Sequence, residues 1–83
     1  MKDEASAADE TLDLRGVPCP RNASLALLCL MGMERGRVLV VLLDDGEPME
    51  NVPRSLEEEG YPVETREPID PGGPGWRLHV RCA

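Results

Sequence analysis

The chain contains no phenylalanine, one tyrosine and one tryptophan among its 83 residues. Its core must therefore be assembled mainly from Leu, Val, Met and Ala, which dominate the 41% apolar content. Basic residues are also scarce: nine Lys and Arg stand against sixteen Asp and Glu, for a net charge of -7. That balance argues against nucleic acid as a direct partner, because such affinity comes largely from cations neutralising phosphates. It disfavours an anionic membrane surface for the same reason. Long apolar runs are missing too. The longest charge-free stretch, Asn22 to Met33, spans 12 residues, against the roughly 20 that a membrane-spanning helix needs. The start, Met1-Lys2-Asp3-Glu4-Ala5, has neither the basic opening nor the apolar run of a secretory signal. The three cysteines, Cys19, Cys29 and Cys82, are an odd number and suggest no disulfide framework. A cytoplasmic protein is expected.

A chain of this length is one small domain, burying about 60% of its unfolded surface. Residues 1–10 hold Ala, Ser, Asp and Glu with almost nothing to bury, so a disordered acidic tail is expected there and a folded domain over 11–83. Thr11-Leu12-Asp13-Leu14-Arg15 alternates and reads as a short strand ending at Gly16. Val17-Pro18-Cys19-Pro20 is a stiff connection, since each proline biases its predecessor away from helix. A helix follows from Pro20, with Gly36 as its expected stop. Arg37 to Leu43 is a β-branched apolar run suited to a covered strand, and Asp44-Asp45-Gly46 is a turn. Pro48 to Glu59 places Met49, Val52 and Leu56 on one helical face, somewhat compromised by Pro53. Pro62 to Glu67 and Trp76 to Cys82 alternate as strands around a Pro/Gly loop. The order βαβαββ predicts an α+β two-layer sandwich, two helices on one face of a four-stranded mixed sheet.

Cys19 stands between a strand and a helix, with Pro20 in the opening turn. As the N-cap, its sulfur would face the unpaired backbone N–H groups of that turn, and the helix dipole would favour thiolate over thiol. The competing reading is a small buried hydrophobe, a common fate of free cysteine.

The run Leu12-Asp13-Leu14-Arg15-Gly16-Val17-Pro18-Cys19-Pro20 before an apolar helix, together with Asp44-Asp45-Gly46 and Asn51-Val52-Pro53-Arg54-Ser55-Leu56-Glu57-Glu58-Glu59-Gly60-Tyr61, resembles the TusA/SirA-like sulfur-carrier family over residues 11–82. The resemblance implies the same βαβαββ fold. It also implies that Cys19 accepts a sulfane sulfur as a persulfide from a cysteine desulfurase or rhodanese-type donor and relays it to a downstream acceptor protein. Tasks of that kind include tRNA thiolation, cofactor supply and sulfur metabolism. Such a protein is a covalent carrier with sulfurtransferase-like chemistry rather than an independent turnover enzyme. The sequence departs from the family's Cys-Pro-x-Pro at one place, having Cys19-Pro20-Arg21-Asn22. Asn22 restores a backbone N–H that proline would remove, giving the Cys19 sulfur one more expected donor. Gly16 and Pro20 belong to the motif, and Arg15 and Arg21 lie close enough in sequence to stabilise an anionic sulfur. No metal, nucleotide or organic cofactor is implied, and a monomer is expected. The alternative function is a non-catalytic interaction module of the same fold with an inert Cys19.

Cys29 lies ten residues beyond Cys19, about 15 Å away if both share one helix, and reads as packing, as does Cys82. A zinc site is disfavoured because His79 and Cys82 would face opposite ways on a strand and no Cys-x-x-Cys pair exists. In the first helix Leu25, Leu27, Leu28, Leu30, Met31 and Met33 cannot all face one sheet. Its outward side around Leu25 and Leu28 is either generous core packing or a partner-docking face beside Cys19. Arg77, His79, Arg81 and Arg66 are expected as a basic stripe on the far sheet face, paired with Asp13 and Glu64. Glu57-Glu58-Glu59 reads as a solvated helix end.

Overall fold

A computed structural model describes residues 10–83 as β1 (Glu10–Asp13), α1 (Arg21–Met31), β2 (Val38–Leu43), α2 (Glu47–Glu58), β3 (Val63–Pro68) and β4 (Trp76–Arg81). The expected disordered tail falls largely on residues 1–9, outside the described part, but Glu10 belongs to β1 and pairs with Leu39. The sheet has the order β1-β2-β4-β3, with β1 parallel to β2 and both other pairings antiparallel. This is the expected βαβαββ sandwich of two helices on a four-stranded mixed sheet.

The apolar run of β2 sits between β1 and β4 and is covered on both faces, with Val38 and Val40 buried on the face away from the helices, which is why it carries no alternation. Its Leu39, Val41 and Leu43 join Leu78, Val80 and Cys82 on the helix side, where Ala23, Ala26 and Leu30 of α1 and Val52 and Leu56 of α2 complete the core. On the other face Val38, Val40 and Leu42 stand opposite Arg81, His79 and Arg77.

α1 stops at Met31 with Gly32 as its C-cap, four residues before the expected Gly36. The Gly32 and Met33 N–H groups close the last turn onto the Cys29 and Leu30 carbonyls. Gly36 instead takes φ +89° in the turn leading into β2. Helix α2 runs through Pro53 unbroken. The ring removes one helical hydrogen bond, but it is buried against the core side of the helix.

The basic stripe is corrected at Arg66. A bulge between Val63 and Thr65 shifts the register of β3, so Arg66 pairs with Leu78 on the helix side rather than joining Arg77, His79 and Arg81. The three that remain are engaged by β3: Arg77 with Glu67 at 3.1 Å, Arg81 with Glu64 at 2.9 Å, and His79 Nδ1 with Thr65 Oγ1 at 2.8 Å. Glu64 is thus the expected partner, whereas Asp13 pairs with Arg15. No helix among the described residues is long and apolar enough to cross a membrane.

Candidate functional site

β1 and β2 are parallel, so the β1–α1 loop and the start of α2 leave the sheet at the same edge. Crevices outside the carboxyl ends of neighbouring parallel strands are where open α/β sheets place ligands, and Cys19 lies there. Its loop is braced from below. The Gly16 N–H donates to Asp44 Oδ2 at 2.6 Å, and the Val17 N–H returns to the Leu14 carbonyl at 3.1 Å. Gly16 has φ +83°, a conformation that L side chains rarely adopt. The neighbouring Asp45 accepts from the Trp76 indole at 3.0 Å, so the Asp44-Asp45 turn fastens both the Cys19 loop and β4.

The N-cap of α1 is Pro20, not Cys19, which precedes it across a cis peptide bond. A proline side chain cannot cap, and the orphan N–H groups find other acceptors. The Asn22 N–H returns to the Pro18 carbonyl at 3.1 Å, while the Ser24 N–H makes the first regular helical bond, to the Pro20 carbonyl, at 3.1 Å. The Ala23 N–H is taken by Asn22 Oδ1 at 2.7 Å. Asn22 thus performs from inside the helix the capping that Pro20 cannot, and its side chain is fully buried.

The consequence falls on the sulfur. With its oxygen occupied, Asn22 turns its amide nitrogen toward Cys19 Sγ at 3.2 Å. A second carboxamide approaches from α2: Asn51 Nδ2 lies 3.9 Å from the same sulfur. Its Oδ1 accepts from the Arg54 guanidinium at 2.7 Å, and since a guanidinium only donates, the orientation of Asn51 is fixed. The expectation of backbone donors at Cys19 is therefore replaced by two side-chain amides. The backbone N–H that Asn22 restores is spent on Pro18, while its side chain serves the sulfur. Cys19 itself is half-buried.

Arg15 and Arg21 do not hydrogen-bond to this sulfur. Arg15 forms a bidentate pair with Asp13, at 2.9 and 2.7 Å, which holds the Asp13 carboxyl down to about 2. Arg21 is exposed on the first turn of α1. Of the two leucines expected outside, Leu28 is 65% exposed and is joined by Met31 at 69%, whereas Leu25 is half-buried against the core.

The other thiols have different surroundings. Cys29 does not share a helix with Cys19, since α1 begins at Arg21. Burial and the Glu10 carboxylate, 3.8 Å from its sulfur, push the Cys29 thiol up. Cys82 is buried and directs its thiol toward the Leu30 and Met33 carbonyls, at 3.3 and 3.4 Å.

Asn51, Arg54 and Asp44 are site residues that sequence reasoning does not single out. Asn51 and Arg54 stand at i, i+3 on α2, but their meeting with Cys19 depends on two helices packing side by side, which spacing within either helix does not encode. Their position inside the later stretches of family resemblance is the one trace they leave in the sequence.

Comparison with known proteins agrees with this architecture. The family model described as Sulfurtransferase TusA matches residues 10–82. A curated protein of Archaeoglobus fulgidus described as "Putative sulfur carrier protein" is 35% identical over 74 residues, covering 89% of this chain and 82% of its own. The crystal structure of a SirA-like protein from Desulfitobacterium hafniense superposes with a TM-score of 0.72 at 27% identity, covering 87% of this chain and 95% of that one. The matched span includes every described element and the Cys19 loop, and the chain belongs to the TusA/SirA-like family of sulfur carriers.

Proposed function

We propose that Cys19 is the carrier atom. Its thiolate attacks the outer sulfur of a donor persulfide, the donor's S–S bond breaks, and the donor cysteine leaves as thiolate. An acceptor thiolate then attacks the outer sulfur on Cys19 and regenerates the resting thiolate. Each step exchanges one S–S bond for another, so no external oxidant or reductant is needed. The observation that carries this reading is the Asn22 amide nitrogen donating to Sγ at 3.2 Å, since hydrogen-bond donors favour the charged form of a sulfur; the Asn51 amide faces the same sulfur from farther away, at 3.9 Å. The donor is a cysteine desulfurase or rhodanese-type protein, the acceptor a downstream sulfur-relay protein, and the setting cytoplasmic, in keeping with three free cysteines. Such a partner sits over the Cys19 loop and reaches along α1 to Leu28, seven residues beyond Arg21, or about 10 Å along the axis. Leu25, being half-buried, contributes at the margin of that surface.

Incubation with a cysteine desulfurase and cysteine adds the mass of one sulfur atom to the intact protein, removed by reductant and missing in Cys19→Ala. No gain in the wild type, or an equal gain in Cys19→Ala, refutes the reading and leaves an interaction module of the same fold.

A further inference from the structure

The two amides are not equivalent. Asn22 Nδ2 touches Sγ at 3.2 Å, whereas Asn51 Nδ2 stands off at 3.9 Å from the same atom. Each is locked in orientation by an independent partner for its oxygen, the Ala23 N–H in one case and the Arg54 guanidinium in the other. Resting on the carrier reading, we infer that they serve two different sulfurs: Asn22 holds the Cys19 thiolate, and Asn51, aimed by Arg54, holds the outer sulfur of the persulfide.

The distances support the division. A disulfide-type S–S bond is about 2.05 Å long, so an outer sulfur placed on Sγ within roughly 60° of the line to Asn51 Nδ2 would lie about 3.4 Å or less from that nitrogen, against 3.9 Å for Sγ itself. In that orientation the gap at Asn51 becomes a contact when the second sulfur arrives. The charge moves in the same direction. In the exchange Cys19–S⁻ + R–S–S⁻ ⇌ Cys19–S–S⁻ + R–S⁻, the negative charge on the protein passes from Sγ to the outer sulfur, and with it the need for a donor passes from Asn22 to Asn51. Both groups are neutral donors, which stabilise the anion without neutralising it, so the sulfur can still be handed on. Arg54 acts as a positioning residue: by occupying Oδ1 it keeps the amide nitrogen, rather than the oxygen, turned toward the sulfur.

Two measurements separate the roles. The first is the iodoacetamide alkylation rate of unloaded Cys19 as a function of pH. The second is the loaded fraction at equilibrium in a fixed mixture of cysteine persulfide and cysteine, read by intact mass. Asn51→Leu is expected to alkylate within about twofold of wild type but to lose about fivefold in the loading equilibrium constant taken from the loaded-to-unloaded ratio, the scale of one hydrogen bond to a charged group at a half-exposed site. Arg54→Met shifts the loaded fraction in the same direction by less. Asn22→Asp keeps the Ala23 cap but replaces the donor at Sγ by a carboxylate oxygen, and slows alkylation near neutral pH about tenfold, with folding checked by thermal melt. If Asn51→Leu loads as fully as wild type, the division of labour is overturned while the carrier reading stands. The division also fails if Asn51→Leu slows alkylation as much as Asn22→Asp does. A wild-type protein that takes up no sulfur from cysteine persulfide overturns both.

Discussion

Cys19, ahead of α1, and Cys29, within it, are both half-buried thiols, yet their neighbours have opposite polarity. Cys19, just before α1, receives a hydrogen bond from the Asn22 amide nitrogen and faces that of Asn51. Cys29, in the last turn, directs its own proton at the Glu10 carboxylate, and both burial and that negative charge keep it protonated. Partial exposure alone does not make a cysteine reactive; burial of the sulfur and the polarity of its nearest partner both set its thiolate fraction. The most demanding test of this contrast is competitive alkylation at neutral pH followed by peptide mass mapping. Cys19 should be labelled at least about tenfold faster than Cys29, a difference that thiolate fraction readily produces, with the buried Cys82 slowest. Equal labelling of Cys19 and Cys29 would erase the distinction.

Helix α1 links the two ends, and its inner face sets how firmly they are held. Leu30 is fully buried, and its carbonyl receives the Cys82 thiol. Leu30→Ala is expected to cost about 2–5 kcal/mol, measured as a lowered urea midpoint, whereas Leu28→Ala on the exposed face should stay within about 0.5 kcal/mol. A smaller effect isolates the carboxylate at the far end. Glu10→Gln removes the charge near Cys29 but not the burial that is the larger cause of its shift. Cys29 alkylation near neutral pH should then rise about two- to fivefold, as for a partly exposed charge pair, and that of Cys19 should not change. An unchanged Cys29 rate would assign its inertness to burial alone.

Alternation and apolar runs expose the layers: β4 shows its inward Leu78 and Val80 directly, and the unbroken run in β2 announces a central strand. What sequence does not show is where one extra residue slips the pairing. The bulge in β3 leaves no compositional mark, yet it sends Arg66 to the other face. The site is legible to the same depth. Motif and position reveal Cys19 and Gly16, but not the identity of the donors. Backbone N–H groups are the general expectation at a helix start, and they lose because Pro20 occupies the capping position and Asn22 takes over its task. Arg15 departs from expectation for a related reason. Proximity in sequence to Cys19 counts for less than a carboxylate two residues away whose two oxygens match its fork.

That last pairing has its own pH signature. The Asp13 carboxyl is lowered from 3.8 to about 2 by Arg15, and Glu64 is lowered in the same sense by Arg81. A carboxyl whose folded value is depressed stabilises the fold above its unfolded value and loses that contribution as pH falls through the folded one. Thermal stability should therefore decline as the pH drops from about 4 to about 2, and Arg15→Met should flatten part of this slope. The change at neutral pH should be slight, because the pair is exposed to solvent and screened. The same variant separates the two arginine roles. If Arg15 belongs to Asp13 and not to the sulfur, Cys19 in Arg15→Met alkylates within about twofold of wild type, less than the effect of one exposed charge. A markedly slower Cys19 would restore Arg15 to the sulfur site and make the two amides only part of its electrostatics.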